Sequence, residues 1–115
     1  MEDPNQTFVS GSFMALYTKG GRPTAPREDI EARYDFCDDL ATQVAEMCRT
    51  VQFSNNLSET ASLKTCFDGL MQPPAAASPA ETAWVMCRVA ELLEWPVPPW
   101  LAEQVAAHGE ATRQR

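Results

Sequence analysis

Histidine occurs once in this chain, as His108, and neither a Cys-x-x-Cys pair nor a glycine-rich phosphate loop occurs at all. Each scarcity removes a class of chemistry. Without G-x-x-x-x-G-K-S/T, G-x-G-x-x-G or G-x-S-x-G, nucleotide cradling and serine hydrolysis have no visible machinery. A closed zinc site would have to be assembled from four separate helical faces, because Cys37, Cys48, Cys66 and Cys87 are separated by 11, 18 and 21 residues. Positive charge is also scarce: 9 Lys and Arg stand against 16 Asp and Glu, for a net charge of −7. Direct binding to nucleic-acid phosphates or to anionic lipid needs clustered cations, so the expected partner is another protein, one with a basic patch. No apolar run reaches 18 residues, and the opening MEDPNQ is acidic and polar where a secretory signal is basic and then apolar. The expectation is a soluble cytoplasmic protein not exported by a cleaved signal.

What is present is enough apolar material for one core. With 115 residues, 44% of them hydrophobic, the size prior gives a single domain over 1–115. The longest helical pattern runs from Thr24 to Val51. Ile30, Tyr34, Cys37, Ala41, Val44, Cys48 and Val51 recur at alternating spacings of four and three, on one side of a helix. Phe36, Leu40 and Met47 lie beside that seam and widen it. Glu31, Asp35, Asp38, Asp39, Thr42, Glu46 and Arg49 follow the opposite side. Thr24 is placed to act as N-cap, Pro26 fits the first turn, and Glu28, Asp29 and Glu31 sit where the helix dipole favours negative charge.

The flanking segments are read in the same way. Phe8, Val9, Phe13, Met14, Leu16 and Tyr17 make an apolar arm, either a short helical turn capped by Ser12 or a strand. Lys19 to Pro23 is expected as a loop, since paired glycines followed by proline disfavour regular structure. Asn56 and Glu59 have capping-box spacing for a second helix over 57–71. Residues 72–78 form a Pro/Ala-rich linker. Ser78 as N-cap, Pro79 at the first helical position and Glu81 three after the cap open a third helix over 79–95. Its apolar residues nearly encircle it and leave only Glu81, Arg88, Glu91 and Glu94 as a polar strip. Trp84 and Trp95 fall within or beside that strip, so one or both are expected to be only partly buried. WPVPPW breaks the helix, Pro99 opens a short fourth helix through His108, and Gly109 should stop it. Residues 1–6 and 110–115 are expected as flexible termini. The fold class is all-α: a small bundle of three main helices, a short C-terminal helix and an N-terminal apolar arm.

Site chemistry is sparse. The four cysteines lie on or next to apolar helical positions, the pattern of free, reduced, buried thiols, which suits a reducing compartment. Cys37 and Cys48, roughly 16 Å apart along one helix, cannot bridge. A Cys–His catalytic pair would need an exposed, low-pKa thiol, which apolar surroundings oppose. His108 reads as a cation at a helix C-terminus. Asp35, Asp38 and Asp39 lack the glycine and spacing of a calcium loop. No catalytic residue, cofactor site or metal site is assigned.

The strings SFMALY, APREDIEARYDFCDDLA and ETAWVMCRVAELLEW, in that order along the chain, resemble a set of short proteobacterial proteins sometimes labelled "ATPase with chaperone activity". The resemblance is compatible with a chaperone or adaptor role and carries over no catalytic or binding residue; the phosphate-binding motif of an ATPase is absent here. The functional expectation is a non-enzymatic bacterial cytoplasmic protein that binds another protein as adaptor, regulator or small chaperone. Glu31, Asp35, Asp38 and Asp39 would steer the partner, and Trp84 and Trp95 would anchor it. Alternatives are a thiol- or metal-based sensor and an acidic inhibitor that mimics nucleic-acid charge, and homodimerisation through the aromatic strip is open.

Overall fold

Proline placement and two left-handed caps divide the chain into its elements. A computed structural model describes residues 8–113. They form α1 (Gly11–Leu16), β1 (Thr18–Lys19), β2 (Arg22–Pro23), α2 (Arg27–Asn55), α3 (Glu59–Met71), α4 (Pro79–Leu93) and α5 (Pro99–Arg113). The described chain is thus mostly helical, with one two-stranded antiparallel ribbon. Of the ends expected to be flexible, residues 1–6 and 114–115 lie outside the described residues.

The apolar arm takes the helical option, but Ser10 caps it where Ser12 was expected: the Phe13 N–H donates to the Ser10 hydroxyl at 3.3 Å. That turn drives Phe13 fully into the core. The glycine pair, expected to forbid regular structure, creates it. Gly20 and Gly21 have φ of 58° and 80°, the two positive values that a type I′ hairpin turn demands. Thr18 then pairs with Pro23, and Lys19 with Arg22.

The longest helix starts later than expected because the residue before a proline is kept out of the α region. Pro26, at φ −60° and ψ 148°, takes the N-cap position in place of Thr24, and only its carbonyl serves the first turn. Its far end runs past Val51 to Asn55. Asn56, expected to open the next helix, closes this one in the left-handed conformation at φ 52°, and the Leu57 N–H donates to the Gln52 carbonyl. Asparagine tolerates that conformation better than most residues. Ser58 takes over as the N-cap of α3, accepting from the Ala61 N–H at 3.0 Å. At 29 residues, α2 is about 43 Å long, which nearly spans the molecule's 48 Å longest extent.

Ile30, Cys37, Ala41, Val44 and Cys48 of the seam are buried, while Tyr34 and Val51 are half-buried. The seam is narrower than expected: of the residues read as widening it, Leu40 is half-buried but Phe36 and Met47 are exposed. Phe36 instead lies under the Arg33 guanidinium, 4.8 Å from its ring centre.

α4 packs against α1, α2, α3 and α5, as its nearly all-round apolar pattern requires. Val85, Met86, Val89 and Ala90 are fully buried and join Leu63 of α3 and Leu101 of α5 in one cluster. Each of these side chains other than Ala90 contributes about 1.5–3 kcal/mol by leaving water. The α4 capping box forms as expected: the Glu81 N–H donates to Ser78 Oγ at 3.1 Å and the Ser78 N–H donates to Glu81 Oε1 at 3.0 Å. Its end comes at Leu93, two residues early, because Glu94 turns left-handed at φ 59° ahead of the proline knot. α5 is as long as α4, at 15 residues each; it is not the short piece expected, and Gly109 does not stop it. One glycine among alanines costs a helix about 1 kcal/mol, too little to end it. Trp100 ties α5 to α3 by packing on Phe67 with ring centres 5.3 Å apart. No helix among the described residues is long and apolar enough to cross a membrane.

Candidate functional site

The helical period decides which α4 side chains share a surface. Ala80, Ala83, Trp84, Cys87, Arg88 and Glu91 recur at steps of one, three and four and form one wall of a groove of about 390 Å³. Ser10, Ser12 and Leu16 of the N-terminal arm and Tyr34 of α2 also line it. So do Val97 of the proline knot and Val105 and His108 of α5. Volume and lining fall within the range of ligand-receiving clefts, apolar walls with a few convergent polar groups.

Trp84 is held firmly in this wall of the groove. It was one of two candidates for partial exposure; only 9% of it is exposed. Its indole N–H donates to Ser12 Oγ at 2.9 Å, and its ring meets Phe13 and Tyr34 edge-on at 5.0 and 5.7 Å. An indole whose one polar atom is satisfied can be covered without penalty, which is why the α1 arm buries it. Trp95, the other expected anchor, is half-buried, follows the left-handed Glu94 and does not line the groove. The two tryptophans are not brought together.

The acidic face meets the groove at one point. Arg88 reaches Asp38 of α2 through Nε at 3.5 Å and Glu91 through Nη1 at 2.9 Å. Asp38 is thereby drawn to the groove's edge, and Arg88 is neutralised on both sides. Asp35 and Asp39 are exposed on the same stretch of α2. Glu31 is half-buried and paired with Arg27 at 2.9 Å. Four carboxylates therefore follow one another on this side of α2, one of them engaged with the groove.

The most buried charge in the described chain was missed in sequence. Glu81, expected on a solvent-facing strip, is 3% exposed. Its carboxylate accepts from Arg33 Nε at 3.0 Å, Arg33 Nη2 at 2.8 Å, the Ser78 N–H and the Tyr17 hydroxyl. Burial alone would raise its pKa, but the hydrogen bonds from Arg33, Tyr17 and Ser78 prevail and hold it down at about 2. Burial, and then donation to Glu81, push the Tyr17 phenol up to about 12. Arg33 also donates to the Ala76 carbonyl at 3.0 Å, fastening the Pro/Ala-rich linker to α2. This network ties the N-terminal arm, α2 and α4 together. Sequence separations of 64 and 48 residues leave no local pattern from which to read it; the one signal was the N3 position of Glu81 in its capping box.

The groove also brings Cys87 and His108 to one surface. Burial, and then Glu91, push the Cys87 thiol up to about 11, the opposite of an activated nucleophile. Burial likewise pushes Cys37 up to about 12. No group of three or more His, Cys, Asp or Glu able to hold a metal occurs among the described residues. Comparison of the chain with protein-family models, with curated proteins and with solved structures finds no match.

Proposed function

We propose that the protein acts by binding another protein, as an adaptor, regulator or small chaperone of the bacterial cytoplasm, and carries out no chemistry of its own. The observation that supports this most is that the groove residue Arg88 pairs with Asp38, linking the Trp84 groove to the side of α2 that carries Asp35, Asp38 and Asp39. A groove of about 390 Å³ accepts one or two apolar side chains of a protein segment. The adjoining carboxylates attract Lys and Arg on either side of that segment. The net charge of −7 acts in the same direction, steering a basic partner and speeding its encounter.

Co-purification from lysate tests it. The wild-type protein should retain a partner at low salt and release it as salt is raised, because exposed charges are screened within about 8 Å at physiological ionic strength. A variant carrying Asp35→Lys, Asp38→Lys and Asp39→Lys should lose that partner, as should Val105→Glu, which puts a charge on the apolar wall at an exposed position. Retention of nothing by the wild type, or identical retention by the charge-reversed variant, would sink the proposal.

A further inference from the structure

Neither Cys48 of α2 nor Cys66 of α3 lines the groove, and the binding proposal makes no use of them. The period of α2 turns Cys48 onto its buried seam, and that of α3 turns Cys66 to meet it. Their sulfurs lie 3.0 Å apart, with the Cys48 S–H donating to Cys66 Sγ. The Ser62 carbonyl, 3.8 Å from Cys48 Sγ, lies on the same side. Bonding would bring the two sulfurs about 1 Å closer, to the roughly 2.05 Å of a disulfide.

The two positions are not equivalent. Cys48 is 0% exposed and Cys66 is 6% exposed, so the accepting sulfur is the one nearer to water. The donated S–H favours thiolate on Cys66 and lowers its pKa, while donation to Cys66, and then burial, push that of Cys48 up. Cys66 thus has the character of an attacking thiol and Cys48 that of the thiol that follows it. Burial of both restricts attack to a very small oxidant.

We propose that Cys48 and Cys66 form an oxidisable dithiol that hydrogen peroxide converts to a disulfide joining α2 to α3. The Cys66 thiolate attacks one peroxide oxygen; an S–O bond forms, the O–O bond breaks, and the departing hydroxide takes up the proton that Cys66 had released. The Cys48 sulfur then attacks the Cys66 sulfenic acid. The S–S bond forms as the S–O bond breaks, and the second hydroxyl leaves as water with the proton from Cys48. Two thiols lose two electrons and one peroxide becomes two waters. The bond closes the α2–α3 turn between positions 18 residues apart, restricting the unfolded chain and fixing the two helices in place.

The native protein treated with graded hydrogen peroxide, quenched, unfolded and alkylated with iodoacetamide gives the answer by mass spectrometry. The expected result is loss of both alkylation sites at Cys48 and Cys66 together, a linked peptide pair containing them, and recovery on reduction, all at doses that leave Cys87 alkylated. In Cys48→Ala, Cys66 should stop at the sulfenic acid, trapped by dimedone present as the protein is unfolded. Persistence of both free thiols at a dose that has already oxidised Cys87, or a first disulfide involving any other cysteine, would overturn the proposal. The wild-type measurement decides it even where the variant fails to fold.

Discussion

Replacing Glu81 with glutamine should destabilise the protein by about 2 kcal/mol at neutral pH, and the penalty should fade in acid. The carboxylate is held near a pKa of about 2, against 4.5 for the unperturbed group. At about 1.36 kcal/mol per pH unit, that difference corresponds to roughly 3 kcal/mol of native-state stabilisation. The Arg33 side chain is 36% exposed, so water weakens its share, and about 2 kcal/mol is the realistic loss. The substituted amide keeps the shape of the carboxylate but presents an NH₂ to donors: the Arg33 guanidinium, the Tyr17 hydroxyl and the Ser78 N–H cannot all be accepted by one amide oxygen. The thermal midpoint should fall by roughly 10 °C. Because the folded pKa is depressed, this stabilisation is complete above about pH 4.5 and is lost as the pH falls towards 2. Urea unfolding followed by circular dichroism, run on wild type and E81Q in parallel, should show a gap that narrows across that window. A gap under about 0.5 kcal/mol at neutral pH, or one that stays constant down to the acid end, would refute the reasoning.

Two further predictions concern the same core. The Thr82 hydroxyl is buried with no hydrogen-bond partner among the described residues, so Thr82→Val, nearly the same shape, should raise the urea midpoint by an amount equivalent to about 1 kcal/mol; a loss of stability would show that the hydroxyl is satisfied after all. The Tyr17 phenol, raised from 10.0 to about 12, contributes stability that is complete below pH 10 and lost as the pH rises through 12. Phenolate absorbance should therefore show one late ionisation, and Tyr17→Phe should remove it.

Local rules recovered the elements that local chemistry decides. Ser78, Pro79 and Glu81 announced the α4 start correctly because a capping box needs only four residues, and the Ile30–Cys48 seam was readable because α2 presents one face to the core. Boundaries failed where two rules competed at one residue. Asn56 satisfies both an N-cap and a left-handed C-cap, and the Leu57–Gln52 hydrogen bond decided in favour of the second. The glycines at 20 and 21 break strands in general, yet are what a two-residue hairpin turn requires. The site was less legible than the fold. Glu81 and Trp84 sit on one polar-looking strip of α4, and nothing local tells that Arg33, Tyr17 and Ser12 arrive from elsewhere to bury them. The Cys48–Cys66 contact depends in the same way on the packing of α3 against α2.

If the Trp84 groove and the acidic side of α2 receive a protein partner, that partner must lie within reach of Val105. A photo-crosslinking amino acid introduced at the exposed Val105 on the groove wall, and separately at the exposed Thr65 of α3 away from it, tests this most directly when the protein is illuminated in lysate. Discrete protein adducts should form from position 105 and vanish when Asp35, Asp38 and Asp39 are reversed in charge, and none should form from position 65. Adducts of equal strength at both positions, or none at position 105, would contradict it.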